Sequence, residues 1–276
     1  MSFELVAPRT PEEAFRLLGE GAGAASVLAG GTDLLFDLDR VTTAPRRVVS
    51  LRHLPWRGHA WQGDTLVVGS TEPLHELERD GSVAARLPGL HTAIRAVGSR
   101  ALRHRATLGG NLARAAPASD LLPILLALDA TVEIAGPAGT RRMDLDSFLV
   151  ASRTTALRPP ELIRSVAVPA APSVYLWQRV RPANDISQVG VAIAHPGRAV
   201  YRIAVGGIVP RPRRLRGAES GLVSDPPPGP ERVRAAEEAA REAPFPSDRR
   251  ATEEHRRRVV RALVERGLVH LAGGAA

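Results

Sequence analysis

The chain contains no cysteine and no lysine. Without thiols it can form no disulfide, no thiolate metal site and no cysteine-ligated iron–sulfur cluster of its own. Aromatic side chains make up only 4% of its 276 residues. The core must therefore be assembled from Leu, Val, Ile and Ala, and few rings are available to stack nucleobases. No run of about 18 apolar residues occurs, so no membrane span is expected. The opening MSFELVAPRTPEEAF lacks the basic and apolar regions of a secretion signal, and a cytoplasmic setting is expected.

Charge is plentiful. The formal net charge is +8, and all 37 basic residues are arginine. They are scattered along the chain, an all-arginine set that reads as base-composition bias rather than a phosphate-binding surface. Nucleic acid is not expected as a partner, and the basic-aromatic run RHLPWRGHAW reads as a loop between strands. Hydrophobic residues at 44% and charged residues at 24% suit a soluble globular protein. The length allows one large domain or a few subdomains.

Local signals predict a mixed α and β chain. Thr10, Pro11, Glu12 and Glu13 make a helix start, and AFRLLGEG ends it at glycine. ASVLAGG reads as a short strand entering a glycine turn, TDLLFDL as a helix with Thr32 or Asp33 near its start, and RRVVSL as a second strand. This β-α-β pattern implies a small parallel sheet. TLVVGSTEPLHELERD repeats strand then helix, with Thr71 as the expected cap, and a helical stretch over 83–97 is interrupted at Pro88 and Gly89. A helix from about Asp120 to Leu128 precedes antiparallel strands at TVEIAG, RRMDL and LIRSVAV. A boundary near PAAPS, residues 169–173, separates a first part, 1–170, from a C-terminal part, 171–276. The latter shows two or three strands (YLWQRV, VGVAIAHPGRAVYRIAVGG, IVPRP), with a tight turn at HPGR, then helices at about 231–242 and 249–268.

Two stretches carry chemistry. VLAGGTDLL (27–35) and ATLGGNLARAAPASD (106–120) each place a Gly-Gly pair beside a polar residue next to a predicted helix. Glycine lets backbone amides approach a ligand closely, and amides at a helix start suit phosphate oxygens. Two such loops could grip a diphosphate from both sides, with Thr32, Thr107 and Asn111 as added donors. Asp33 and Asp120 would repel phosphate and suit ligand hydroxyls. The plain alternative is that each Gly-Gly is only a turn, since neither loop matches G-x-G-x-x-G or the P-loop pattern. His75-Glu76 begins like H-E-x-x-H, but Arg79 stands where the second ligand belongs. No nucleophile motif appears, and the dispersed histidines are read as surface or structural residues. No metal ligand and no catalytic residue is assigned.

Taken together and in order, AGGTDLL and TLGGNLARAAPASDLLPILLALDA resemble the flavin-binding medium subunit of molybdenum hydroxylases, the family of bacterial carbon monoxide dehydrogenase and split-subunit xanthine dehydrogenases. NDISQVGVAIA, VGGIVPRPRR and the terminal HRRRVVRALVERGL extend the resemblance over roughly 3–270. It implies an α+β fold with three parts: two α/β subdomains binding FAD, one with a small parallel sheet and one with an antiparallel sheet, then a C-terminal three-stranded sheet with helices. It further implies that Leu28, Ala29, Gly30, Gly31, Thr32, Asp33 and Leu34 form a first FAD loop and Thr107, Leu108, Gly109, Gly110 and Asn111 a second. Asp120 matches an acidic residue that contacts the cofactor, and Ile163 lies against it. Gln178 falls where many relatives carry a lysine near the flavin ring.

By the same resemblance, the chain would act as an electron-transfer oxidoreductase subunit. A large partner would hold a molybdenum cofactor, and a small partner would hold two [2Fe–2S] clusters. NAD⁺, a quinone or another acceptor would take the electrons, in an assembly expected to be a dimer of heterotrimers. The missing cysteines agree with clusters in another chain. The rival readings are a self-sufficient flavin oxidase of related fold and a basic nucleic-acid-binding protein.

Overall fold

A computed structural model of the chain describes residues 3–20, 25–38, 45–181, 185–207 and 210–273. In it, Thr10 opens the first helix as its residue type predicts. Its hydroxyl accepts from the Glu13 amide at 3.2 Å, while the Glu13 carboxylate accepts from the Arg9 amide at 3.0 Å. Helix α1 (Pro11–Glu20) buries Ala14, Phe15, Leu17 and Leu18, the face set by its 3.6-residue period. Gly21, expected to end it, lies outside the described residues. Strands β1 (Glu4–Val6), β2 (Ala25–Leu28) and β3 (Arg47–Ser50) pair in parallel in the order β1-β3-β2, with the short α2 (Leu34–Leu38) in the crossover.

The middle of the chain wraps helices over one face of an antiparallel sheet. Its chain order is β4 (His59–Gln62), β5 (Thr65–Gly69), α3 (Leu74–Arg79), α4 (Gly81–Arg86), α5 (Pro88–Ala96), α6 (Arg100–Arg103), α7 (Leu108–Arg114) and α8 (Leu121–Ala127). After these come β6 (Thr131–Gly136), β7 (Gly139–Asp144), α9 (Leu145–Phe148), β8 (Leu149–Ala151), β9 (Thr154–Thr155) and β10 (Leu162–Pro169). Five strands run in the order β4-β5-β10-β6-β7. Strand alternation sends Leu66, Val68, Val132, Ile134, Val166 and Val168 to the helix-covered face, where all are buried. Every residue of α8 is buried, as its unbroken apolar sequence requires.

The C-terminal part contains β11 (Ser173–Gln178), β12 (Val189–Gly197), β13 (Val200–Gly207), β14 (Arg213–Arg214), α10 (Arg216–Ser220), α11 (Gly229–Glu242) and α12 (Glu253–Leu271). Its antiparallel sheet has four strands rather than three, because Arg213 and Arg214 pair with Val205 and Ala204. A strand was expected at IVPRP, of which Ile208 and Val209 lie outside the described residues, as does Asn184 of NDISQ.

Two local expectations are corrected. Thr71 does not cap α3. Its amide donates to the Trp56 carbonyl, and Pro73 occupies the cap position with no side-chain hydrogen bond. The β12–β13 hairpin turns at Arg198 and Ala199, both with φ of 55°, so the expected HPGR turn is displaced toward its last residue, Arg198, and one position beyond. A bulge between Ala194 and Gly197 shifts the turn, and Gly197 pairs with Val200. The apolar register of Val191 and Ile193 against Val205 and Ile203 dictates where the strands meet, and the turn adapts to it.

His59 ties β4 to the start of α4. Its Nδ1 lies 2.8 Å from Glu72 and its Nε2 2.9 Å from Asp80. Burial disfavours the charged ring, but the hydrogen bonds to Glu72 and Asp80 outweigh it and raise the pKa above 6.5. Asp80 is pushed down from 3.8 to about 2, first by the Ser82 hydroxyl and then, against burial, by His59 and the Ser82 amide. A raised base stabilises fully below its unfolded value and loses that contribution as pH rises through the folded one. A lowered acid stabilises above its unfolded value and loses it as pH falls. Thermal melts of the wild type against His59→Gln should therefore differ most between pH 3.8 and 6.5 and converge on either side. A gap of the same size at alkaline pH would refute the arrangement.

Candidate cofactor cleft

The two Gly-Gly loops, separated by nearly 80 positions in sequence, face one another across a single cleft of about 320 Å³. Absence of side chains is what lets them meet. A Cβ on Gly30 would lie 1.9 Å from the Arg105 carbonyl oxygen, just ahead of the second loop. A Cβ on Gly109 would lie 2.5 Å from Ser70 Cβ. Gly31 holds φ of +82°, a region that favours glycine. Gly110 approaches the first loop itself, its Cβ position being 3.7 Å from Ala29 Cβ.

The loops are chemically unequal. Among the described residues, the five consecutive amides from Gly30 to Leu34 donate to no protein acceptor. They are backbone donors on the cleft wall without an internal partner, the arrangement that accepts an anion. In the second loop, the Gly109 amide donates to the Ser70 carbonyl at 3.2 Å. The Gly110 amide donates to Thr107 Oγ1 at 3.0 Å, which caps α7. The expectation that both Gly-Gly pairs offer free amides is thus corrected for the second pair. Gly109 and Gly110 supply bare Cα surface, because Ser70 and Thr107 already take their donors. Ser70 Oγ, on the same wall, is buried without a hydrogen-bond partner among the described residues.

Of the residues singled out in sequence, Ala29, Gly30, Gly31, Thr32, Asp33, Leu34, Thr107, Gly109, Gly110, Asn111 and Ile163 line this cleft. Leu28 ends β2 behind it, its carbonyl accepting from the Leu51 amide, and Leu108 is fully buried in the core. Asp120 is not on the wall. Its Oδ1 accepts from Tyr175 and Ser187, both at 2.6 Å, and its Oδ2 from Arg179 at 3.1 Å. The hydroxyls it fixes belong to the protein. Gln178 stands exposed at the end of β11 and donates to the Arg179 carbonyl at 2.8 Å. Sequence reasoning missed Asp37, Leu51, Ser70, Val97, Leu102, Arg114, Leu157, Glu161 and Leu162, which lie on the same wall. Only Arg114 had a local signal, lying inside the second motif.

A broader basin of about 740 Å³ lies on the open face of the five-stranded sheet, away from both loops. Its charged groups already have protein partners: Arg142 and Arg164 each lie 3.0 Å from Glu133, Arg57 lies 3.7 Å from Glu72 and Glu76, and His59 is held by Glu72 and Asp80. The smaller cleft has the chemistry: unpaired donors along one edge, and apolar Val97, Leu102, Leu162 and Ile163 beside a few polar groups on the remaining wall.

A cleft with this edge and this floor, between a parallel α/β unit and an antiparallel sheet, belongs to a protein that binds an anionic cofactor with a large flat body. The family described as "FAD binding domain in molybdopterin dehydrogenase" matches residues 1–171, and that described as "CO dehydrogenase flavoprotein C-terminal domain" matches residues 175–271. The chain is 30% identical over 229 residues to a carbon monoxide dehydrogenase medium chain of Hydrogenophaga pseudoflava, covering 80% of each. It is 30% identical over 269 residues to a nicotine 6-hydroxylase medium subunit of Paenarthrobacter nicotinovorans, covering 95% of this chain and 94% of that one. A solved structure of carbon monoxide dehydrogenase from Hydrogenophaga pseudoflava superposes with a TM-score of 0.92 at 26% identity, over 100% of this chain and 99% of that one. The chain belongs to the FAD-binding flavoproteins of the molybdopterin dehydrogenases, and is an oxidoreductase component with FAD as its cofactor. Among the described residues, no helix is long and apolar enough to cross a membrane.

Proposed function

We propose that this chain is the electron-transfer subunit of a multi-subunit molybdenum hydroxylase. It takes electrons from [2Fe–2S] clusters of a small partner and passes them to NAD⁺, a quinone or another acceptor, while a large partner holds the molybdenum cofactor. A dimer of such heterotrimers, in the cytoplasm, is the assembly proposed. Residues 1–170 form the FAD-binding part and 171–276 the C-terminal part. The observation that carries the reading is the run of unpaired amides from Gly30 to Leu34, set against a second loop stripped of side chains.

FAD, when bound, collects electrons singly and releases them in pairs. The protein's own residues hold it. The Gly30–Leu34 amides receive the diphosphate, and Gly109 and Gly110 let it come close. The Thr107 hydroxyl accepts from the Gly110 amide and keeps its hydrogen for the ligand. Ile163 and its apolar neighbours exclude water from the flat rings. No side chain of this subunit acts as acid, base or nucleophile. With no cysteine in the chain, the clusters must lie in another subunit.

Purified alone, the full chain should be yellow, with flavin absorption bands and about one FAD per chain. It should turn over no organic substrate until the two partner chains are added. A colourless chain would overturn the cofactor assignment, and steady turnover by the single chain would make it a self-sufficient oxidase instead.

A further inference from the structure

We infer that Arg114 is an ionic strap, reaching from α7 to α2 and fixing the first-loop amides over the cleft. The inference rests on the cleft being the FAD site. Helix α2 has only five residues and buries none of them. Leu35 and Phe36 are 51% and 53% exposed. Isolated helices shorter than about 12 residues do not hold together in water, so α2 depends on what grips it from outside. Helix α7 is the opposite case. Leu108, Gly109 and Leu112 are buried, and Thr107 caps its start.

Arg114, the last residue of α7, spans the gap between them. Its guanidinium lies 2.7 Å from Asp37 and 3.6 Å from Asp33. Arg114 and Asp37 both line the cleft and are partly withdrawn from solvent, at 25% and 36% side-chain exposure, where ion pairs are screened less than on an open surface. Asp33 sits within the amide run, and Asp37 follows one turn later. The strap therefore does two things from one position. It holds α2 in register with α7, and it offsets two carboxylates that would otherwise repel a diphosphate at the same edge. The rigid helix positions the loose one.

The geometry makes a prediction of unusual sign. Removing a negative charge beside an anion site should by simple electrostatics tighten binding. If Arg114 acts as a strap, Asp37→Asn must instead weaken it. Titration of FAD into flavin-stripped full chain, followed by quenching of flavin fluorescence, should show Arg114→Gln and Asp37→Asn each raising the Kd about fivefold. The double variant should be no worse than either single one, since both break the same link. Arg114→Lys, which still reaches Asp37, should recover most of the affinity, and added salt should weaken the wild type more than either variant. Unchanged or tighter binding by Asp37→Asn, or additive losses in the double variant, would overturn the strap. If the wild-type chain itself binds no FAD, the cleft assignment fails. If the wild type binds and both variants bind equally well, only the strap fails.

Discussion

Replacing Gly110 with leucine should leave the chain folded and strip it of flavin. The Cβ position at Gly110 meets the Thr107 hydroxyl, the cap of α7, at 2.9 Å, so that hydroxyl must shift, and then Ala29 Cβ at 3.7 Å. A branched side chain there projects into the gap between the two loops. The preference for leucine over glycine in a helix, up to about 1 kcal/mol, offsets the disturbed cap. The neighbouring glycines cannot serve this purpose. At Gly30 and Gly109 the new atom would strike the Arg105 carbonyl and the Ser70 backbone, and loss of fold would mask loss of cofactor. For Gly110→Leu, FAD affinity should fall at least about a hundredfold, roughly 3 kcal/mol, with a circular-dichroism melt within a few degrees of wild type. The check is the ratio of flavin to protein absorbance after gel filtration. A variant that keeps its full flavin would show that the second loop does not face the cofactor.

Much of the scaffold could be read from sequence because local and tertiary demands coincide there. Thr10 with Glu13 is both a residue pattern and an observed cap, and LLPILLA is apolar all round because all of it is buried. The convergence of the loops was legible from the paired motifs. The division of labour between them was not, because it turns on which amides find partners inside the fold. Thr107 carries the same residue type whether it faces a ligand or caps α7, and only the chain path shows the Gly110 amide already taken. The internal role of Asp120 was hidden for a similar reason, because its partners Tyr175, Arg179 and Ser187 lie more than 50 positions further along the chain. Arg114 was invisible as a strap because Asp33 and Asp37 lie about 80 positions away in sequence.

Asp120→Ala should be the most destabilising single change at a polar position, costing about 3–5 kcal/mol, as loss of one member of a buried ion pair does. Against a typical total of about 5–15 kcal/mol, that is enough to leave a marginal protein. The carboxylate pins three segments at once. It stands at the start of α8, accepts the Tyr175 hydroxyl from β11 and the Ser187 hydroxyl ahead of β12, and pairs with Arg179. Arg179 in turn donates to the Ala96 carbonyl at 2.6 Å, at the end of α5 and next to Val97 of the cleft wall. Alanine would leave a guanidinium that is only 11% exposed facing an empty pocket. Asp120→Asn keeps an acceptor for the hydroxyls and replaces only the oxygen that faces Arg179 with an amide nitrogen, so its cost should be smaller, about 1–3 kcal/mol. Burial pushes the Asp120 carboxyl up from 3.8, against the pull of Ser187, Tyr175 and Arg179. A raised acid contributes most below its unfolded value and loses that contribution as pH climbs through the folded one. The wild type's advantage over Asp120→Asn should accordingly be widest in acid and narrow toward neutrality, which urea denaturation across that range would read directly. An Asp120→Ala chain that unfolds within about 0.5 kcal/mol of wild type, the range of ordinary surface changes, would show that this junction does not hold the C-terminal sheet against the cofactor-binding part.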